Sequence, residues 1–178
     1  MLEIFKPTWM VKSIYTVSPD QLKDHGIRAV FSDLDNTLIA WNNPDGTPEL
    51  RQWMTSLKAA GIPLIVISNN SKQRVARATA SLKLPFISRA LKPLSFGITR
   101  ARRKLGLKPH EVVMVGDQLM TDVIAANRAG VYSILVQPLI STDKWVTWPN
   151  RVMDDLVEKR LKQKYPDTKW QEGLTKDE

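Results

Sequence analysis

The chain has 178 residues, is 43% hydrophobic and 25% charged, carries a net charge of +8 and contains no cysteine. That length fits one domain with a sizeable core, and the apolar content excludes a chain disordered throughout. The absence of thiols excludes disulfides, thiolate metal sites and cysteine nucleophiles, while the positive charge points to an anionic partner: a phosphorylated metabolite, an anionic lipid or nucleic acid.

No stretch approaches the roughly 20 apolar residues that span a bilayer. Lys6, Pro7 and Lys12 interrupt the N-terminal segment, so it does not read as a signal peptide. A cytoplasmic chain is expected.

Ser18 and Pro19 form an N-cap and N1 pair for a helix that Gly26 stops. A strand follows over 27–33. Thr47 and Pro48 open the next helix, with Leu50, Trp53, Met54 and Leu57 at helical spacing and Gly61 beyond its end. Residues 63–68 read as a buried strand. Ser71 caps a basic helix expected to reach Leu82, 86–90 is a short strand, and Pro93 starts a helix to Gly106. The clearest strand is 112–116; a helix over 121–129 and a strand over 131–136 follow. A loop is expected over 138–149, then a helix capped by Asn150 and running to Lys164. Residues 1–165 form the expected domain, with an N-terminal helical extension, and 166–178 a flexible tail. Alternating short apolar runs and helical patterns predict an α/β fold, a Rossmann-like three-layer sandwich around a parallel sheet.

Open parallel sheets bind ligands beyond the carboxyl ends of their strands. The residues there are Asp33 and Asp35, Ser68 and Asn69, Lys92, and Asp117 with Asp122. Two carboxylates at i and i+2 repel and call for a cation or a shared proton. Mg²⁺ suits one or two carboxylates together with water and substrate phosphate, and Asp117 can supply the second. An aspartate can itself attack phosphorus, provided a second acid protonates the leaving oxygen and later activates water. Ser68 and Asn69 could bind phosphoryl oxygens, and Lys92 would balance negative charge. Asp122 could equally sit in the first turn of its helix.

The DLDNTL segment, the hydroxyl after an apolar strand, the lysine-proline pair and the GDQLMTD segment together resemble the haloacid dehalogenase superfamily of phosphohydrolases, over roughly residues 27–137. The resemblance implies that Asp33 is the nucleophile and Asp35 the general acid/base. It puts Mg²⁺ on the Asp33 carboxylate, the Asp35 carbonyl and Asp117, phosphate on Ser68 and Lys92, and gives Asp122 a supporting role. The short intervals from Asp35 to Ser68 and from Ser68 to Lys92 leave no room for a cap domain, as in the family's third subclass. More loosely, the chain is similar to the phosphatidylglycerophosphate phosphatase branch.

That branch implies a phospholipid substrate and peripheral contact with the inner face of an anionic membrane. Two features suit such contact: the basic cluster Arg100, Arg102, Arg103, Lys104 and Lys108, and Trp9, Met10, Ile14 and Tyr15 as an interfacial segment. A solvated helix face and ordinary packing are the plainer readings of the two. Trp145 and Trp148 are expected to cover the core. A soluble nucleotide, sugar phosphate or phosphoprotein is the alternative substrate. A nucleic-acid-binding or assembly module with a vestigial site is the alternative of another class, disfavoured because no interleaved basic and aromatic motif appears.

Overall fold

The computed structural model describes residues 2–40, 42–140 and 148–174. Its strands, in chain order, are β1 (Trp9–Val11), β2 (Ala29–Ser32), β3 (Leu64–Ile67), β4 (Phe86–Ile87), β5 (Val112–Gly116), β6 (Tyr132–Val136) and β7 (Trp170–Gln171). All pair in parallel, in the order β4-β3-β2-β5-β6-β1-β7. The central strands are continuous apolar runs because helices cover both of their faces.

The helices are α1 (Pro19–Asp24), α2 (Pro48–Ala59), α3 (Lys72–Thr79), α4 (Phe96–Lys104), α5 (Ile124–Ala129) and α6 (Trp148–Lys164). Ser18 and Gln21 cap α1 reciprocally, and the Thr47 and Ser71 hydroxyls cap α2 and α3. Leu22 of α1, Leu50, Trp53 and Leu57 of α2, and Val75 of α3 pack with Val30, Val66 and Val113 on one face. Each such burial contributes about 1.5–3 kcal/mol. Ile98 and Ala101 of α4 and Ala125 and Ala126 of α5 pack with Phe31 and Met114 on the other. Leu161 of α6 joins that side through Met10 and Leu135. The α/β three-layer sandwich expected from the sequence is therefore the observed architecture.

Several local expectations are corrected. Trp9–Val11 is neither an interfacial segment nor part of a helix: its three consecutive apolar residues are buried in the sheet beside β6. Short 3₁₀ turns at Leu2–Phe5 and Ile14–Thr16 flank it. Within the expected tail, Trp170–Gln171 pairs with β1 and Leu174 is buried, because β1 would otherwise leave an open edge. α4 begins at Phe96 rather than Pro93, since Arg89 (φ 49°) and Leu91 (φ 61°) hold the preceding segment in a tight loop that also ends β4 early. α5 is preceded by a wide π-turn at Leu119–Val123, and α6 starts two residues before Asn150. Residues 141–147, including Trp145, and the side chain of Trp148 lie outside the described residues, as do 175–178.

From β2 the chain crosses to β3 on one side, and β5 returns to the other side of β2. This reversal opens a crevice at the carboxyl ends of β2 and β5. Between Asp35 and Ser68 lie only a turn-rich segment and α2; between Ser68 and Lys92, only α3 and β4. Among the described residues the crevice has no cap.

Candidate active site

Asp33 leaves β2 with its N–H bound to Val115 O of β5 (2.8 Å), which fixes the residue at the crevice. Asn36 then adopts φ 62°, a left-handed turn that asparagine tolerates. That turn folds the loop back so that Thr37 Oγ1 donates to Asp117 Oδ1 at 3.3 Å. Asp117 follows β5, and the turn after it brings Asp122 inward.

Lys92 joins the two sides. Its Nζ donates to Asp33 Oδ1 at 2.8 Å and to Asp122 Oδ1 at 2.6 Å. The Lys92 side chain is 3% exposed and that of Asp122 2%, so the pair is sealed from water. Asp122 also accepts from the Gln118 N–H at 3.2 Å. Gly116 makes this packing possible: a Cβ there would overlap the Asp122 carboxylate.

The other expected site residues divide. Ser68 is buried at the end of β3, where its Oγ accepts from the Asn70 N–H at 3.2 Å. Asn69, the other expected phosphate ligand on this strand end, is tied to the segment that carries Lys92. Its Nδ2 donates to Lys92 O and its Oδ1 accepts from Lys92 N, both at 2.8 Å, so the amide braces the backbone that carries the lysine. Asp35 stands apart from the Lys92 cluster. Its Oδ2 accepts from Asn70 Nδ2 at 2.9 Å, and Arg74 Nη2 of α3 reaches both oxygens at 3.1 and 3.0 Å. Asn70, Arg74 and Thr37 were not among the expected residues. The basic character of α3 and its start at the end of β3 were the available signals.

A family pattern described as haloacid dehalogenase-like hydrolase matches residues 2–130. The chain belongs to this family. It is 39% identical over 162 residues to the probable phosphatase YqeG of Bacillus subtilis (strain 168), covering 91% of this chain and 94% of that one. It is also 29% identical over 144 residues to phosphatidylglycerophosphate phosphatase 1, chloroplastic/mitochondrial, of Arabidopsis thaliana, spanning 75% of this chain but only 41% of that longer protein. Among solved structures, an uncharacterized protein from Listeria monocytogenes serotype 4b shares the fold with a TM-score of 0.53 and 16% identity, over 75% of this chain and 99% of that one. Family and relatives identify the chain as a phosphatase.

The electrostatics of this phosphatase centre on the buried lysine. Burial alone would lower the Lys92 pKa, but Asp122 and Asp33 outweigh it and hold the ammonium charged above its ordinary range. Asp122 is pushed up to about 6, chiefly by burial, with Lys92 pulling it down and Asp33 pushing it up. Carboxylate oxygens of Asp33, Asp117 and Asp122 lie within 4.8 Å of one another. Three carboxylates facing one ammonium leave excess negative charge, so the cluster fits a divalent cation. Both Asp122 oxygens are taken, by Lys92 and the Gln118 N–H, whereas Asp33 gives Lys92 only Oδ1, which makes Asp33 and Asp117 the pair suited to share a cation with phosphate.

In the basic cluster, Arg100, Arg103, Lys104 and Lys108 are exposed, as a solvated face requires, and Arg102 is half-buried. Arg102 Nη1 donates to Leu107 O at 2.7 Å, so this arginine secures the turn after the helix. Arg103 and Lys104 lie about 10 Å further along α4 than Phe96. Arg74 and Arg77 of α3 are the exposed cations placed beside Asp35.

Proposed function

We propose that this phosphatase hydrolyses a phosphate monoester through an aspartyl-phosphate on Asp33, with Mg²⁺ as cofactor. The observation that carries the reading is the position of Asp33, which lies between the buried ammonium of Lys92 and the carboxylate of Asp117. An Asp33 oxygen attacks phosphorus while the bond to the leaving oxygen breaks, and Asp35 gives that oxygen its proton. Asp35 then takes a proton from water, which attacks the same phosphorus and releases Asp33. Ser68 and Lys92 hold phosphoryl oxygens, Asn69 fixes the lysine backbone, and Asp122 fixes its ammonium. Asp33, the Asp35 carbonyl and Asp117 would hold Mg²⁺, which when bound supplies positive charge to the phosphoryl oxygens.

The substrate we propose is a phospholipid phosphate, phosphatidylglycerophosphate, met at an anionic membrane surface. Support comes from the distribution of exposed large apolar side chains. Leu91, Leu94 and Phe96 lie within four residues of Lys92 and are 57%, 45% and 65% exposed. Leu139, whose N–H binds Asn36 O, flanks the other side with Val152 of α6. Asp117 and Val152 line one hollow of about 310 Å³. Five of the eight exposed large apolar residues among those described thus lie beside the proposed phosphate site. Apolar side chains with cations between them match the interface of an anionic bilayer. No helix among the described residues is long and apolar enough to cross a membrane, which agrees with contact from one side.

A phosphate-release panel with lipid phosphates in mixed micelles, paired with co-sedimentation on anionic vesicles, tests this reading. Preferred hydrolysis of the lipid phosphate and salt-sensitive vesicle binding are expected. Preference for soluble nucleotides or sugar phosphates, without vesicle binding at low salt, would put the soluble-substrate reading in its place.

A further inference from the structure

Beside Asp35 a half-open groove of about 600 Å³ runs between α3 and the loop after β2. One wall carries Asp35, Ile39 and Pro44; the other carries Gln73, Arg74 and Arg77. We propose that this groove receives the leaving group of the substrate, and that it selects leaving groups carrying a second anion, a phosphodiester or a carboxylate. The inference rests on the reading of Asp35 as general acid.

The argument starts from reach. A general acid must come within about 2.6–3.2 Å of the oxygen it protonates. Whatever is attached to that oxygen must therefore occupy space against Asp35. The groove is the space that Asp35 lines, and it exceeds what a small alcohol such as glycerol fills.

Its charge is the second point. Among the described residues Asp35 is the sole acid on these walls, and Arg74 already pairs with it at 3.0 Å. Arg77 lies one turn further along the same helix face. Among the described residues it has no carboxylate partner. One guanidinium is therefore left over in a groove that otherwise holds a balanced pair. A neutral leaving group would leave Arg77 to water, whereas a carboxylate or phosphodiester would accept charge-assisted hydrogen bonds from its planar fork. The apolar residues Ile39, Ala40 and Pro44 can bear on the carbon spacer between the two anions.

A matched substrate series tests this with the whole chain and Mg²⁺. Glycerol 3-phosphate releases glycerol, a neutral alcohol; in 3-phosphoglycerate the leaving group carries a carboxylate, and in the deacylated head group of phosphatidylglycerophosphate it carries a phosphodiester. Para-nitrophenyl phosphate reports bare phosphatase competence. At least one anionic member should exceed glycerol 3-phosphate by about tenfold in kcat/KM, the size of one charge-assisted hydrogen bond. Arg77→Gln, at an exposed helical position, should fold normally by circular dichroism and reduce that ratio by about fivefold or more. Which anionic member gains tells whether a lipid head group or a small carboxylate supplies the second anion. Equal kcat/KM across the series, or a preference unchanged in folded Arg77→Gln, would overturn the inference while the phosphatase reading stands. No hydrolysis of any of the four would remove the reading itself and the inference with it.

Discussion

Replacing Lys92 by methionine keeps the length of the side chain and deletes its charge. In the native protein that ammonium lies 2.6 Å from Asp122 and 2.8 Å from Asp33, with Asp122 only 2% exposed. The variant leaves a fully buried carboxylate without its cation and a second carboxylate with less compensation. Removing one partner of a buried pair costs about 3–5 kcal/mol, well above what the intact pair contributes over an apolar substitute. For a chain of this size each kcal/mol moves Tm by about 2–4 °C, so the fall should be roughly 6–20 °C. Thermal unfolding followed by circular dichroism, with a chelator present so that no cation replaces the ammonium, measures it. Adding Asp122→Asn to Lys92→Met removes the stranded charge and should restore a good part of the loss. A fall below about 1 kcal/mol, or a double variant no more stable than Lys92→Met, would refute the reasoning.

Two more predictions concern the frame around the site. Gly116→Ala should destabilise the fold by about 1–3 kcal/mol and sharply reduce turnover, because the added methyl displaces the Asp122 carboxylate and with it Lys92; a stable, active variant would show that the contact yields freely. Tyr15 donates to Leu38 O at 2.6 Å, and burial chiefly pushes its pKa up from 10.0 to about 12. The unfolded chain therefore releases this proton first, so the stability contributed is complete below pH 10 and is lost as pH rises towards 12. Denaturant titrations across that window should show a steeper decline for the native chain than for Tyr15→Phe, and identical slopes would contradict the assignment.

The sheet and the polar rim at its strand ends were legible because their signals are local. Asp33, Ser68, Lys92 and Asp117 each follow an apolar run or a turn that marks a strand end. Helix starts at Ser18, Thr47 and Ser71 were equally readable, since a hydroxyl cap satisfies N–H groups only a few residues away. The edge strands were not. Trp9–Val11 and Trp170–Gln171 are too short to show periodicity, and they pair across most of the chain length. The role of Asn69 was hidden for a related reason. An exposed amide next to a serine gives no sign that the backbone of Lys92, 23 residues on, takes both ends of it. Arg74 likewise reaches Asp35 over 39 residues, which no spacing rule anticipates. Arg102 looked like part of a charged face, but the turn after α4 takes its guanidinium.

The central claim is covalent chemistry on Asp33, and rapid-quench labelling with a phosphorus-labelled substrate tests it most directly. Asp35→Asn keeps the nucleophile but cannot activate water, so with a good leaving group it should accumulate acid-stable, base-labile label, mapped by peptide mass spectrometry to Asp33. Asp33→Asn should fold, carry no label and release no phosphate. Label on another residue, or near-normal turnover by folded Asp33→Asn, would contradict the account.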